Sequence, residues 1–464
     1  MTTSGPGQVL VAILAFVVAI GILVAVHEFG HYWVARRLGI KVLRFSIGFG
    51  TPLFRRTMGG NDPVEFALSA IPLGGYVRML DEREAPVPQD QVSRAFNRQP
   101  VWKRIAVLLA GPAFNLLFAT AIYWGLFLAG IPAFAPTIGE IKPDSIAARA
   151  GLKTDDRIVQ VAGKPVETRE SALLAILDDL IDDGTIRVEV RGTNGEQRGL
   201  TLEAGPNRRD LTQPDALLPG LGFDFWYPKA PAVVGRLVPD GPAEKAGLRP
   251  GDKILKIDHQ PVQSFPDVMR LLETRADREV PFDVLRDGVT QQVPVRIGSH
   301  TVGGKTVGRI GVESSLDPKD REKIEAMTTL QKFGPGAALG HAADRTWDMS
   351  VFTIKILGKI VTGHVSLKNI SGPISIAEYT GIAARQGWQV FIGMLALISI
   401  SLGVLNLLPI PILDGGQVVY QLAEWVKGRP MSERAQLLGQ HIGIVMLILL
   451  MTLAFYNDIS RHLD

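Results

Sequence analysis

Apolar residues are concentrated in four long runs, near 8–30, 104–130, 387–410 and 437–456, each long enough to cross about 30 Å of hydrocarbon as a helix. Between the second and third runs the pattern breaks into short apolar and polar alternations punctuated by Gly and Pro, as in soluble α+β modules. The pattern predicts a polytopic α-helical membrane protein with four transmembrane helices and a globular insertion. The first run is read as a retained span, because Met1 to Gln8 holds no Lys or Arg and no small-residue cleavage site comes after it. Basic residues cluster from Arg36 to Arg104, and Lys427, Arg429 and Arg434 lie beyond the third run. The N-terminal tail has none and the C-terminal tail only Arg461, so the positive-inside rule puts both termini and 131–386 outside.

Composition changes this picture little. A mean hydropathy of +0.18 with 46% hydrophobic residues agrees with a membrane protein carrying soluble parts. The net charge of +3, with no basic face or interleaved aromatic motif, gives no case for nucleic acid. Cysteine is absent, which removes thiol nucleophiles, disulfides and thiolate metal ligands together.

The insertion contains a repeat. Pro143, Asp144, Ala147, Ala150, Gly151, Leu152, Asp156, Ile158, Pro165 and Val166 recur as Pro239, Asp240, Ala243, Ala246, Gly247, Leu248, Asp252, Ile254, Pro261 and Val262. Each copy reads as a short helix, a Gly-Leu exit, an acidic turn and a strand. The wording resembles the PDZ domains of bacterial envelope proteases, the second copy more than the first, which has Thr154-Asp155-Asp156 in place of Pro250-Gly251-Asp252. PDZ domains capture peptide ends by strand addition, with backbone N–H groups receiving the carboxylate. Gly220-Leu221-Gly222-Phe223 is a candidate carboxylate loop, echoed by Arg309-Ile310-Gly311-Val312. Steric filtering above a membrane site, without any ligand, reads equally well.

Candidate chemistry enters at the end of the first run, in His27-Glu28-Phe29-Gly30-His31. Residues four apart share a helix face, so His27 and His31 can bind one zinc ion while Glu28 stays near its water as general base. With 8 histidines in the chain, chance seldom gives this spacing, and such a cluster is costly in hydrocarbon. A tetrahedral site lacks one protein ligand. Val34 stands where the longer H-E-x-x-H-x-x-G-x-x-H motif needs glycine, and Asp62, Glu65 and Asp81 look solvated. Asp414 comes after an apolar run broken by Pro409 and Pro411, where an acid is expensive unless paired or metal-bound. The alternative is a helix-end aspartate facing the inner aqueous phase.

H-E-F-G-H on a first membrane helix, L-N-L-L-P-I-P-I-L-D-G-G from Leu405 to Gly416 and tandem PDZ-like copies between them resemble the site-2 protease family of intramembrane zinc metalloproteases along nearly the whole chain. The resemblance implies one Zn2+ ion held by His27, His31 and Asp414, with Glu28 as general base and Asn406 contacting substrate backbone. It implies a membrane-associated β-hairpin between Gly48-Phe49-Gly50 and Gly74-Gly75-Tyr76, where an unwound substrate could pair. The implied substrates are single-span proteins in the lipid bilayer: anti-sigma factors already clipped outside the membrane, in an envelope stress response, and signal peptide remnants. The implied location is the bacterial inner membrane, with the active site near the cytoplasmic side.

The resulting boundaries are 1–38 for the first helix, 39–103 for the inner loop and hairpin, and 104–130 for the second helix. Two periplasmic α+β PDZ domains occupy 131–225 and 226–315, then a linker with amphipathic helices 316–386. The third segment is 387–416, a cytoplasmic loop 417–436, and the fourth helix and tail 437–464. The stretch Asp344 to Leu367, with Lys355 and Lys359, suits an interfacial helix. Ser371 to Ala377 has no role derivable from sequence, and Gly111, Pro112 and Asn115 suit close helix packing. Two rivals are a zinc-dependent transporter, which has no need of Glu28, and a catalytically silent PDZ scaffold, against which the intact motif argues.

Overall fold

The computed structural model describes all residues except 1–5, 61, 206–207, 227–230, 240, 303–304, 316–323, 326, 430 and 464, so Asp240 of the repeat lies outside the described residues. The chain forms two compact units, one of Met1–Gln8, Pro132–Leu211 and Asp215–Leu330, the other of Val9–Ile131, Thr212–Pro214 and Gln331–Asp464.

Among the described residues the second unit holds four helices long and apolar enough to cross a membrane, and the chain is a membrane protein. They lie in α1 (Pro6–Arg37), α2 (Val101–Ala129), Trp388–Asn406 and Glu433–Leu463. Small residues permit close approach: a Cβ at Gly30 would come within 2.5 Å of the Ala110 carbonyl, and one at Gly403 within 3.1 Å of the Pro112 carbonyl. Ala19, Leu23 and Leu395 form a buried contact, while Leu10, Leu14 and Val18 of α1 and Leu438, Ile448 and Leu449 of the last helix stay exposed, as lipid-facing surfaces do.

The third span breaks where its prolines predict. Its helix ends at Asn406, and a new helix, Asp414–Lys427, starts after a turn in which Ile410 N–H bonds Leu408 O and Leu413 N–H bonds Ile410 O. Gly415 and Gly416 let the new helix start against that turn, because a Cβ at Gly415 would overlap the Leu407 carbonyl and one at Gly416 the Ile410 carbonyl. The stretch expected as a loop from 417 is therefore helical as far as Lys427, and a bidentate Arg104–Glu424 pair, at 2.6 and 3.1 Å, ties it to α2.

Residues 39–103 contain two long strands, β1 (Val42–Met58) and β2 (Val64–Met79), each bending back on itself. Arg44 to Ile47 is flanked on one side by Glu65 to Leu68 and on the other by Gly75 to Arg78, and Pro52 to Met58 covers the far side of Val64 to Ser69. The result is a small sheet, more than the simple hairpin expected. The three acids expected to be solvated are instead ion-paired, the partly exposed Asp62 with Arg36, Lys41 and Arg94, the partly exposed Glu65 with Arg44, and the nearly buried Asp81 with Arg83. The Arg94 guanidinium foremost holds the Asp62 carboxyl well below the usual carboxylate range.

The amphipathic helix of this unit runs Pro335–Val361, longer at its start and shorter at its end than expected. Thr346 and Trp124 contacts fix it to α2, while Trp347, Val351 and Ile354 stay exposed. Ser371 to Ala377 acquires a role here. It begins the helix Pro373–Gln386, whose N-terminal N–H groups at Gly372, Ile374 and Ser375 all donate to Asp458 of the last helix.

The first unit repeats one α+β design. A four-stranded sheet orders Lys164–Pro165, Arg157–Val161, Thr185–Arg191 and Gln197–Glu203, and its copy orders Gln260–Pro261, Lys253–Ile257, Glu279–Arg286 and Val289–Arg296. Capping boxes at Thr168 and Ser264 start the helices Arg169–Asp183 and Phe265–Glu273. The repeat aspartates Asp156 and Asp252 are both buried and paired, with Arg198 and Arg286 respectively, although these arginines sit on different strands of the two copies.

Candidate active site

His27 and His31 lie one turn apart on α1, both buried. Their Nε2 atoms are 3.2 Å apart. Asp414, the first residue of the helix after the proline break, brings Oδ2 to 3.1 Å from His27 Nε2 and 3.5 Å from His31 Nε2. Sequence could not decide between a solvated aspartate and a partner of the histidines. The fold decides for the second, because the broken span turns Asp414 back toward α1.

Three observations test this triangle against a zinc ion. First, a tetrahedral ion with bonds of about 2.0–2.1 Å to N and O has its ligand atoms about 3.3–3.4 Å apart, and the three edges of 3.1, 3.2 and 3.5 Å match one face of such a tetrahedron. Second, Oδ2 of Asp414 is buried and accepts no hydrogen bond, an orphan that a cation satisfies. Third, the His31 Nδ1–H donates to the Val107 carbonyl at 2.8 Å, which leaves the Nε2 lone pair pointing into the triangle. The residues fit the ion.

The neighbours are shaped for this. Gly111 of α2 faces the imidazoles, and a Cβ there would overlap His31 Nε2 and lie 2.8 Å from His27 Cε1. Glu28 is buried beside the pair, and Gly75 of β2 packs so closely that a Cβ would come within 2.9 Å of Glu28 Cγ. Asn115, for which the sequence suggests only packing, is fully buried with its amide Nδ2 3.2 Å from His27 Nδ1. A signal for it is present in the sequence: an amide in the middle of an apolar span is costly unless it has a partner.

Asn406 is half-buried at the end of the Trp388–Asn406 helix. Gly220 and Leu221 end a short helix, Leu217–Leu221, in the first module. The N–H groups of Gly220 and Gly222 donate to Ala216 O and Leu218 O, and the side chains of Leu221 and Phe223 are buried in the module core.

Two imidazoles and a carboxylate converge at metal-binding distance, with a buried glutamate alongside, the groups that a metal-dependent hydrolase needs. The chain belongs to peptidase family M50, the site-2 proteases, whose model matches residues 15–450. It is 38% identical to the regulator of sigma-E protease RseP of Escherichia coli, over 96% of this chain and 98% of that protein. The protein of that name from Salmonella typhimurium is 39% identical over the same shares. A protein of Ralstonia nicotianae provisionally named a zinc metalloprotease is 41% identical over 97% of this chain and 99% of its own length. The chain is thus a zinc metalloprotease.

Proposed function

We propose that the protein hydrolyses peptide bonds within transmembrane segments of single-span proteins at one zinc ion held by His27, His31 and Asp414. The observation that carries this reading is the buried triangle of metal-ligand atoms on helices of membrane-spanning length. Bound zinc supplies an electrophile for the scissile carbonyl and makes water a better acid. Glu28 takes the proton of the attacking water and returns it to the leaving amine. A helical substrate hides its carbonyls, so it must unwind before it can react. The Gly75–Met79 segment pairs on one side with Val42–Ile47 and on its other edge with no strand among the described residues. Because that segment starts against Glu28, an unwound substrate pairing with it would hold its carbonyls beside the site. Asn406 then hydrogen-bonds substrate backbone.

The two repeated modules act as periplasmic PDZ domains that exclude proteins whose outer domain is still attached. The internal hydrogen bonds of Gly220 and Gly222 leave fewer amides for a peptide carboxylate, which favours filtering over peptide capture at Gly220 to Phe223. Similarity to proteases named as regulators of sigma-E supports pre-cleaved anti-sigma factors in an envelope stress response as substrates, with signal peptide remnants alongside. The basic inner loop supports an inner-membrane orientation with both termini and the modules periplasmic and the site near the cytoplasmic face. Glu28→Gln tests the mechanism. Purified variant should retain zinc and lose cleavage of a model transmembrane substrate, and ordinary turnover would remove Glu28 from the reaction.

A further inference from the structure

The Asn115 amide is fully buried on α2, and its two ends have opposite fortunes. Nδ2 lies 3.2 Å from His27 Nδ1, while Oδ1 is buried with no hydrogen-bond partner. In that orientation Nδ2–H donates to Nδ1, which places the imidazole proton on Nε2. A proton there points into the triangle with His31 and Asp414 and blocks the lone pair a metal needs. A half-turn of the amide exchanges its ends. Oδ1 then accepts the Nδ1–H of His27, and Nε2 presents its lone pair, as His31 already does through Val107.

The half-turn leaves the amide nitrogen unpartnered in place of the oxygen, so hydrogen bonding alone does not choose between the two orientations. A bound cation does choose, because only one orientation leaves Nε2 able to coordinate. The residue that carries this amide is fixed at its backbone and Cβ: the Ser399 hydroxyl donates to the Asn115 main-chain carbonyl at 2.8 Å, and Gly403 lies close enough that a Cβ would meet Asn115 Cβ at 3.4 Å.

We propose that Asn115 is a positioning residue for the metal, which fixes the tautomer and orientation of His27 by accepting its Nδ1–H through Oδ1. The proposal rests on His27 being a zinc ligand, and it goes beyond that reading in assigning the residue that prepares it. It separates Asn115 from a residue that merely fills the space between helices, since packing has no preference between an oxygen and a methyl group of the same size.

The test is zinc affinity of purified full-length protein, measured by competition with a chromophoric chelator, for wild type, Asn115→Leu and Asn115→Asp. Leucine keeps the volume and removes the acceptor, and affinity should fall by about 10–100-fold, as for other partners of metal-bound histidine. Aspartate keeps an acceptor for Nδ1–H and should stay near wild type. Cobalt-loaded Asn115→Leu should also show shifted visible absorption bands, which cobalt-loaded Asn115→Asp should not. Should the leucine variant fail to accumulate as a monodisperse protein, Asn115→Ala replaces it in the comparison with aspartate. Unchanged affinity in the variant lacking an acceptor, or an equal loss in both variants, would overturn the role of Asn115 and leave the metal site standing. Wild type that binds no zinc would overturn both.

Discussion

Single residues decide the chemistry at this site, and several of them are visible in the sequence. His27, Glu28 and His31 announce themselves because a helix turns four-residue spacing into a shared face. Asp414 is a candidate because two prolines before it break a span, yet its partner is undetermined until the return of the chain brings Oδ2 within 3.1 Å of His27. Asn115 and Gly111 suggest only packing in the sequence, since their significance depends on which face of α2 meets α1, and no periodicity in an almost uniformly apolar helix reports that. The residue-scale prediction concerns Asp414. With Asp414→Ala the triangle loses its only anionic corner, so purified protein should contain well under one equivalent of zinc by elemental analysis. A full equivalent would remove Asp414 from the ligand set.

At the scale of elements, the long helices are legible from hydropathy alone, and the differences lie where backbone hydrogen bonding is not local. The return of β1 and β2 on themselves pairs residues 44–47 with two different segments, and Phe45 and Phe66 pack on each other and on Tyr32, contacts that alternation does not report. The helix starting at Asp414 is hidden in the sequence by nearby prolines and glycines, which mark a break without revealing that a helix resumes beyond it. The repeat does fold as two like modules, and their shared buried aspartates yield a prediction. Burial pushes the Asp252 carboxyl up, but Arg286 and the Arg249 N–H outweigh it and hold it below its ordinary value. A lowered folded pKa contributes stability that is complete above the unfolded value and disappears as pH falls through the folded one. Arg286→Gln should therefore destabilise the fold at neutral pH, by taking the ion pair from the Asp252 carboxylate, and progressively less as acid protonates Asp252. Thermal unfolding measured across that range checks it. A cost that does not shrink toward acid pH would assign the effect to packing.

For the whole molecule, four apolar helices among the described residues, a small sheet beside Glu28 and a pair of repeated modules belong to a zinc metalloprotease, and the proposed substrate span has to unfold to reach its site. If the modules filter by size, deletion of 131–315 should allow cleavage of single-span proteins that still carry an intact outer domain, detected as appearance of the shorter product on gels. Unchanged selectivity would assign the modules another task. The central claim is that hydrolysis occurs inside a membrane segment, and mass-spectrometric mapping of the new termini tests it most directly. Wild-type protein, incubated in detergent or vesicles with a single-span substrate whose outer domain has been removed, should yield termini within the apolar span, and Glu28→Gln should yield none. New termini confined to the flanking soluble sequence would contradict it.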